Sequence, residues 1–191
     1  TADTADAAED TAAADTAAAG AASGAISVLS REDGSGTRGA FIELFGIEQK
    51  DADGNKVDNT IDSAEITNST SVMMTTVAGN KAAIGYVSLG SLDESQVKAV
   101  LIDGAEATAE NVKSGTYKVS RPFNIATKGD PDGLAKDFID FILSEEGQTV
   151  VEENGYVSEG NTGAFEGTKP EGKITVGGSS SVTPVMEKLK E

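Results

Sequence analysis

The chain contains no cysteine, no histidine and no tryptophan among its 191 residues. Without cysteine there is no disulfide, no thiolate nucleophile and no cysteine metal site, and the redox compartment leaves no mark on the sequence. Without histidine the commonest general base and metal ligand is gone, which argues against a hydrolase. Aromatic residues are scarce at 5%, so a core must be packed by Ile, Val, Leu and Ala, as suits helices laid on a sheet. Basic residues are also few: 15 against 32 acids, for a net charge of −17. Nucleic acid and anionic membranes are bound by clustered Lys and Arg, so both are poor partners for such a chain. No apolar run approaches the ~20 residues that span a bilayer. No signal peptide is visible, and an opening Thr1 in place of Met reads as a processed or excised chain.

What is present is enough to bury one respectable core, in one or two small globular units. Residues 1–24, "TADTADAAEDTAAADTAAAGAASG", are Ala/Thr/Asp-rich and carry no large apolar side chain. They cannot offset the entropy of ordering and are expected to form a disordered stalk. From Ala25 the run "AISVLS" has the length and bounds of a buried strand, and Phe41, Leu44 and Phe45 recur at helical spacing after a Gly-rich turn, predicting a helix from Thr37 to about Phe45. "NSTSVMMTTVAGN" predicts a capped helix starting at Asn68 to Thr70 and stopping at Gly79-Asn80, with Met73 and Met74 in or near the core; "AAIGYVSLG" follows as a strand. Residues 97–103 and 117–127 read as further strands around a helical turn at "TAENVKSG". The clearest helical region opens at Asp130-Pro131, presents Leu134, Phe138, Phe141 and Ile142 on one face, restarts at Ser144 and ends at Gly155. A polar connector then leads to one strand, one turn and a last helix opened by Thr183-Pro184, whose Val185 and Leu189 need cover on the preceding helices.

Two stretches carry chemistry. "REDGSGTRGAF", Arg31 to Phe41, places small residues between a strand and a helix, where backbone N–H groups turn toward one point and the helix dipole adds partial positive charge. Ser35 and Thr37 add hydroxyls, Arg31 adds a guanidinium matched to a tetrahedral oxyanion, and Asp33, two residues on, is expected to hold that guanidinium in place. "GGSSSVT", Gly177 to Thr183, repeats the layout with hydroxyls in place of charge. Either stretch alone is also what an ordinary Gly- or Ser-rich turn looks like; together they are what an anion held between two lobes requires. The net negative charge does not forbid this, because a Debye length of about 8 Å lets local donors decide. "DADGNKVDNTID", 51–62, has its glycine at the fourth position and no closing Glu, so it reads as a solvated hairpin or loop and not as a calcium loop. No metal site and no cofactor are expected.

At "SREDGSGTRGAF" the chain resembles the phosphate-binding proteins of ABC-type phosphate importers, which have the type II periplasmic-binding-protein fold. "KAAIGYVSLGSL" (81–92), "IDGAEATAENVKSGTYKVSRPF" (102–123) and "FIDFILSEEGQTVVEENGYV" (138–157) extend the likeness over roughly 130 residues in the expected order. The resemblance implies an α/β fold, a mixed sheet flanked by helices, with part of a partner lobe. It assigns 25–118 to the second-lobe phosphate-binding segment, 119–157 to the return strand and helices of the first lobe, 158–172 to a connector, and 173–191 to the first lobe's opening strand and helix. Within that last segment, "VGGSSSVTPVMEKLKE", 176–191, stands first in the family and last here, the order of a circular permutation or of one copy ending and another beginning. The stalk running straight into Ala25 favours permutation.

Carried over residue by residue, the resemblance makes Arg31, Ser35, Gly36, Thr37, Ser180 and Ser181 phosphate ligands and Asp33 the arginine-orienting acid. It leaves the family's additional serine and its proton-accepting aspartate without counterparts in this sequence, which weakens discrimination of phosphate from sulfate. It implies a non-catalytic, extracytoplasmic, lipid-anchored substrate-binding component that captures inorganic phosphate by hinge closure and docks on ABC permease subunits. Binding of another oxyanion such as sulfate or molybdate, or a surface sensor or interaction role without transport, are the alternatives within the binding class. A phosphate-ester hydrolase or phosphotransferase is the rival from outside it, and has no His, Cys or evident metal cluster to work with.

Overall fold

The computed structural model describes residues 24–168 and 170–191; the expected stalk lies, but for Gly24, outside them. Strand β1, Ser27–Arg31, is the centre of a three-stranded parallel sheet of order β4-β1-β5, with β4 at Glu65–Thr67 and β5 at Ala83–Ile84. Arg31 lies opposite Thr67, and Val28 opposite Ile84. Parallel neighbours cannot be joined by a tight turn, so each pairing has a crossover. The first carries helix α1, Gly36–Leu44, and an antiparallel hairpin of β2, Glu48–Lys50, and β3, Lys56–Asp58; the second carries α2, Thr70–Gly79. Leu29 and Met73 are almost completely buried and Met74 nearly so. Gly85 passes directly over Met73, where a Cβ would collide with the sulfur.

The other helices build a second apolar centre. Helix α4, Gly133–Leu143, and α5, Glu145–Glu153, meet at Ser144, whose hydroxyl donates to the Phe141 carbonyl (2.7 Å) and accepts from the Gly147 N–H (3.2 Å). One side chain thus ends one helix and caps the next. Gly155 closes α5 with φ +78°, a conformation glycine adopts without strain. A short 3₁₀ turn at Ser180–Val182 runs into α6, Thr183–Leu189, with Pro184 in its first turn. Val185 and Leu189 are buried with Tyr156, and Phe138, Phe141, Ile142, Val150, Val151, Val182 and Met186 pack around them. Burying each of the two aliphatic side chains stabilises the fold by about 1.5–3 kcal/mol, so the terminal segment is held by its own apolar face.

Several expected strands are absent. Residues 97–103 and 117–127 form none beyond an isolated bridge between Ile102 and Ala105, and neither do the residues preceding the Ser-rich turn at 179. The expectation rested on apolar runs, and those runs are exposed: Val100, Leu101, Phe123, Ile125 and Val176 all face solvent. A strand without a neighbour has nowhere to place its N–H and C=O groups. The run 82–90 gives only β5 before a 3₁₀ turn at Leu89–Ser91. Helix α4 is capped at Asp132, two residues after Asp130, and without a side-chain bond. Strand β4, only three residues long, was not foreseen. The helical turn at 108–115 is α3, Ala109–Lys113, and segment 51–62 contains β3 and the β2–β3 turn as a solvated hairpin. Its Asp51 carboxylate accepts from the N–H groups of Asp53 (2.9 Å) and Asn55 (2.8 Å), committed to the turn. No helix among the described residues is long and apolar enough to cross a membrane.

Candidate anion-binding site

In an open parallel sheet the carboxyl ends of neighbouring strands gather side chains into one crevice. Here those ends are Arg31 on β1 and Thr67 on β4, directly paired, with α1 and α2 beginning a few residues beyond them. Arg31 is 1% exposed. A buried guanidinium must be paired and hydrogen-bonded to be tolerated, and this one is. Nε donates to Glu32 Oε2 (2.8 Å) and Nη2 to Glu32 Oε1 (2.9 Å), a two-pronged bond along one edge of the fork. Along the other edge Nη2 donates to Ser180 Oγ (3.1 Å) and Nη1 to Thr70 Oγ1 (3.5 Å). The backbone of Arg31 is fixed as well: its N–H donates to the Tyr86 hydroxyl (3.1 Å), which also bonds Ser30 Oγ (2.9 Å), while the Tyr86 ring stacks on Phe41 at 4.0 Å.

The Ser-rich turn joins this site from the other end of the chain. Thr37, in the first turn of α1, shares a short hydrogen bond with Ser181, and both are buried. Gly36 faces Ser179 so closely that a Cβ at 36 would stand 2.9 Å from the Ser179 Cβ and Oγ. The turn is anchored from behind, where the Tyr156 hydroxyl donates to the Ser181 carbonyl (2.7 Å) and Ser88 Oγ to the same oxygen (3.4 Å). Burial raises the Tyr156 pKa, which keeps the phenol protonated as the donor.

Arg31, Gly36, Thr37, Ser180 and Ser181 are therefore brought together. Ser35 lies in the same loop, with its hydroxyl accepting from the Arg38 N–H (3.3 Å) as the cap of α1. Asp33 is a correction. It was expected to orient Arg31, but its side chain is 99% exposed and its carboxylate takes Arg38 Nη1 (2.8 Å); Glu32 holds Arg31 instead. The reason is local. Asp33 occupies the outer corner of the turn, past the last ladder bond from the Glu32 N–H to the Thr67 carbonyl (3.1 Å), so its side chain leaves the crevice that Arg31 enters. Hydrogen bonding to Arg31 lowers the Glu32 pKa, so the carboxylate is ionised wherever the protein is folded near neutrality.

Besides Glu32, sequence reasoning missed three participants. Arg38 donates to the Arg31 carbonyl (2.9 Å), to Asp33 and to Asp58 Oδ2 (2.8 and 3.0 Å), so it ties the β1–α1 loop to the hairpin. Tyr86 holds the end of β1, and Thr70 reaches the guanidinium from α2. The repeat of Arg in "SREDGSGTRGAF" was a visible signal for Arg38; nothing in the sequence marked Thr70 beyond its place as a helix start. Two open surface depressions, lined by Asp140 with residues 162–167 and by residues 94–108, lie away from this site and contain none of its residues.

The family model described as "PBP superfamily domain" matches residues 3–146, and the chain belongs to that superfamily. Two relatives are the phosphate-binding protein PstS 2 of Streptococcus agalactiae, 60% identical over 169 residues, and that of Streptococcus pneumoniae, 51% identical over 172 residues. The alignments cover 88% and 89% of this chain but 57% and 58% of those proteins. The chain thus spans less than two thirds of their length. Among solved structures, the phosphate-binding protein of a phosphate ABC transporter from Streptococcus pneumoniae superposes with a TM-score of 0.70 at 47% identity, covering 87% of this chain and 65% of that one.

Proposed function

We propose that this chain carries the anion-binding core of an extracytoplasmic substrate-binding component that captures inorganic phosphate for an ABC-type importer. The observation that carries the reading is the convergence of two Gly/Ser turns on one buried guanidinium: Arg31 bonded to Ser180, Thr37 to Ser181, and Gly36 against Ser179. Arg31 supplies charge and a planar fork, Ser35, Thr37, Ser180 and Ser181 supply hydroxyls, the Gly36 loop supplies backbone N–H groups, and the N-terminus of α1 points its dipole at the same place. Glu32 takes the orienting role assigned to Asp33. The names and 51–60% identity of the PstS relatives support phosphate as the anion. In this reading residues 25–118 form the segment holding Arg31, residues 119–157 and 173–191 belong to the facing lobe in permuted order, 158–172 connect them, and a lipid anchor precedes the stalk. Binding is not accompanied by chemistry on the anion.

Calorimetric titration with inorganic phosphate tests this. Saturable binding is expected in the unmutated chain, and Arg31→Met should weaken it by about 30-fold or more, since truncating one member of a buried charge-assisted pair costs at least about 2 kcal/mol. Binding indifferent to Arg31→Met would overturn the assignment. A second reading has its own support: hydroxyls and a guanidinium donate equally to a protonated or a fully ionised oxyanion, and the one carboxylate bonded to Arg31 lies on the far edge of its fork. On that reading sulfate binds the same donors, and a parallel sulfate titration decides.

A further inference from the structure

The parallel register that pairs Arg31 with Thr67 brings the first turn of α2 to the guanidinium. Ser69 caps that helix, accepting from the Val72 N–H (3.2 Å), which leaves Thr70 as the first helical residue and turns its hydroxyl into the crevice. Thr70 Oγ1 there accepts from Arg31 Nη1 (3.5 Å) and donates to Ser180 Oγ (3.4 Å), closing a triangle whose third side is the 3.1 Å bond from Arg31 to Ser180.

The lengths are informative. On its Glu32 edge the guanidinium makes bonds of 2.8 and 2.9 Å, the range expected between ions. Both bonds to Thr70 stand at the outer limit for a hydrogen bond and contribute little. Exchanging them for charge-assisted bonds to an oxyanion forfeits almost nothing.

We propose that Thr70 is a direct hydroxyl contact of the bound anion and that the start of α2, ten residues long, closes the site opposite α1. This rests on the oxyanion-binding reading above and extends it to a residue outside both Gly/Ser turns. Three segments, not two, then surround the anion: the β1–α1 loop, the α2 start and the 179–183 turn. The hydroxyl can donate to the anion in place of Ser180, and Ser180, whose oxygen accepts from both Arg31 and Thr70, keeps its own O–H to donate as well.

The test uses the full chain with inorganic phosphate as the probe, in calorimetry and in amide NMR. Thr70→Val, which keeps the β-branched shape and removes the hydroxyl, is expected to weaken phosphate binding about tenfold, the usual effect of losing a hydrogen bond to a charged group. Thr70→Ser, which keeps the hydroxyl, is expected to stay within about threefold of the unmutated chain. Amides 69–72 of the unmutated chain should shift with the same saturation curve as amides 33–37. Affinity unchanged by Thr70→Val, or amides 69–72 unmoved at saturation, would overturn the proposal while leaving the site itself standing if Arg31→Met still weakens binding as expected. Failure of the unmutated chain to bind phosphate would instead sink the functional reading. Should Thr70→Val not fold, the unmutated amide titration and Thr70→Ser decide by themselves.

Discussion

Arg31 and Ser180 stand 149 positions apart in the sequence and are joined by a 3.1 Å hydrogen bond between a buried guanidinium and a hydroxyl. The site is thus a tertiary contact, and whatever separates the 179–189 segment from the β1–α1 loop dismantles it. On the function proposed above, stability of that segment and affinity for an anion are coupled in the same residues.

At Gly36 the two turns leave no room for a side chain. Gly36→Ala would place a methyl 2.9 Å from the Ser179 Cβ and Oγ; the hydroxyl can swing aside about χ1, but the Cβ can move only with its backbone. A destabilisation of about 1–3 kcal/mol is expected, the usual effect of overpacking, together with weakened anion binding. Gly39→Ala is the control: it lies in the same helix with nothing within 4 Å of its added methyl, and should gain up to about 1 kcal/mol from helix propensity. Urea denaturation of both variants measures the contrast.

Removing the apolar anchor should have a larger effect. Leu189→Ala empties a buried position packed by Tyr156 and Val185, and a loss of about 2–5 kcal/mol is expected. Amide exchange across 183–189 should be slow in the unmutated chain and fast in this variant; fast exchange in both would show that the segment is not docked.

The Tyr156 hydroxyl is the strongest tie on the Ser181 carbonyl. Tyr156→Phe leaves the ring in the core and removes the donor, with an expected loss of about 1 kcal/mol. Increased exchange or line broadening confined to residues 180–183 would show that the loss acts through the turn.

Acid dependence follows from Glu32. Bonding to Arg31 lowers its folded pKa from the ordinary value of 4.5, so its contribution is fully present above that value and is lost as pH falls through the depressed folded one. Asp58, lowered first by Thr60 and then by Arg38, adds a second contribution of the same sign. The informative quantity is the difference between the unmutated chain and Glu32→Gln: large at pH 6–7 and shrinking as pH drops toward 3, in urea midpoints taken across that range. A gap independent of pH would mean the pair is not an ionic one.

The fold was legible where an element satisfies itself. Helices α1, α2, α4 and α5 announce their faces by spacing and their ends by Ser69, Ser144 and Gly155, and the structure puts them within a residue or two of expectation. Strands depend on partners the sequence does not display, so "VKAVLID" and "YKVSRPFNIAT" promised ladders they do not form, and the three residues of β4 passed unnoticed. The site was legible as composition, two Gly/Ser turns and an arginine, because each turn's chemistry is local. Which acid holds Arg31 was not, because a spacing of one or two residues does not say which side chain leaves the crevice at the turn. Thr70 was invisible for the opposite reason: it joins Arg31 only through the parallel register of β1 and β4.

The most direct test of the account is an amide NMR titration of this chain with inorganic phosphate. Saturable shifts with one dissociation constant at both 33–37 and 179–183 are expected, because the two turns share one anion around Arg31. Shifts confined to one of the two stretches, or none in a chain shown to be folded, would contradict it.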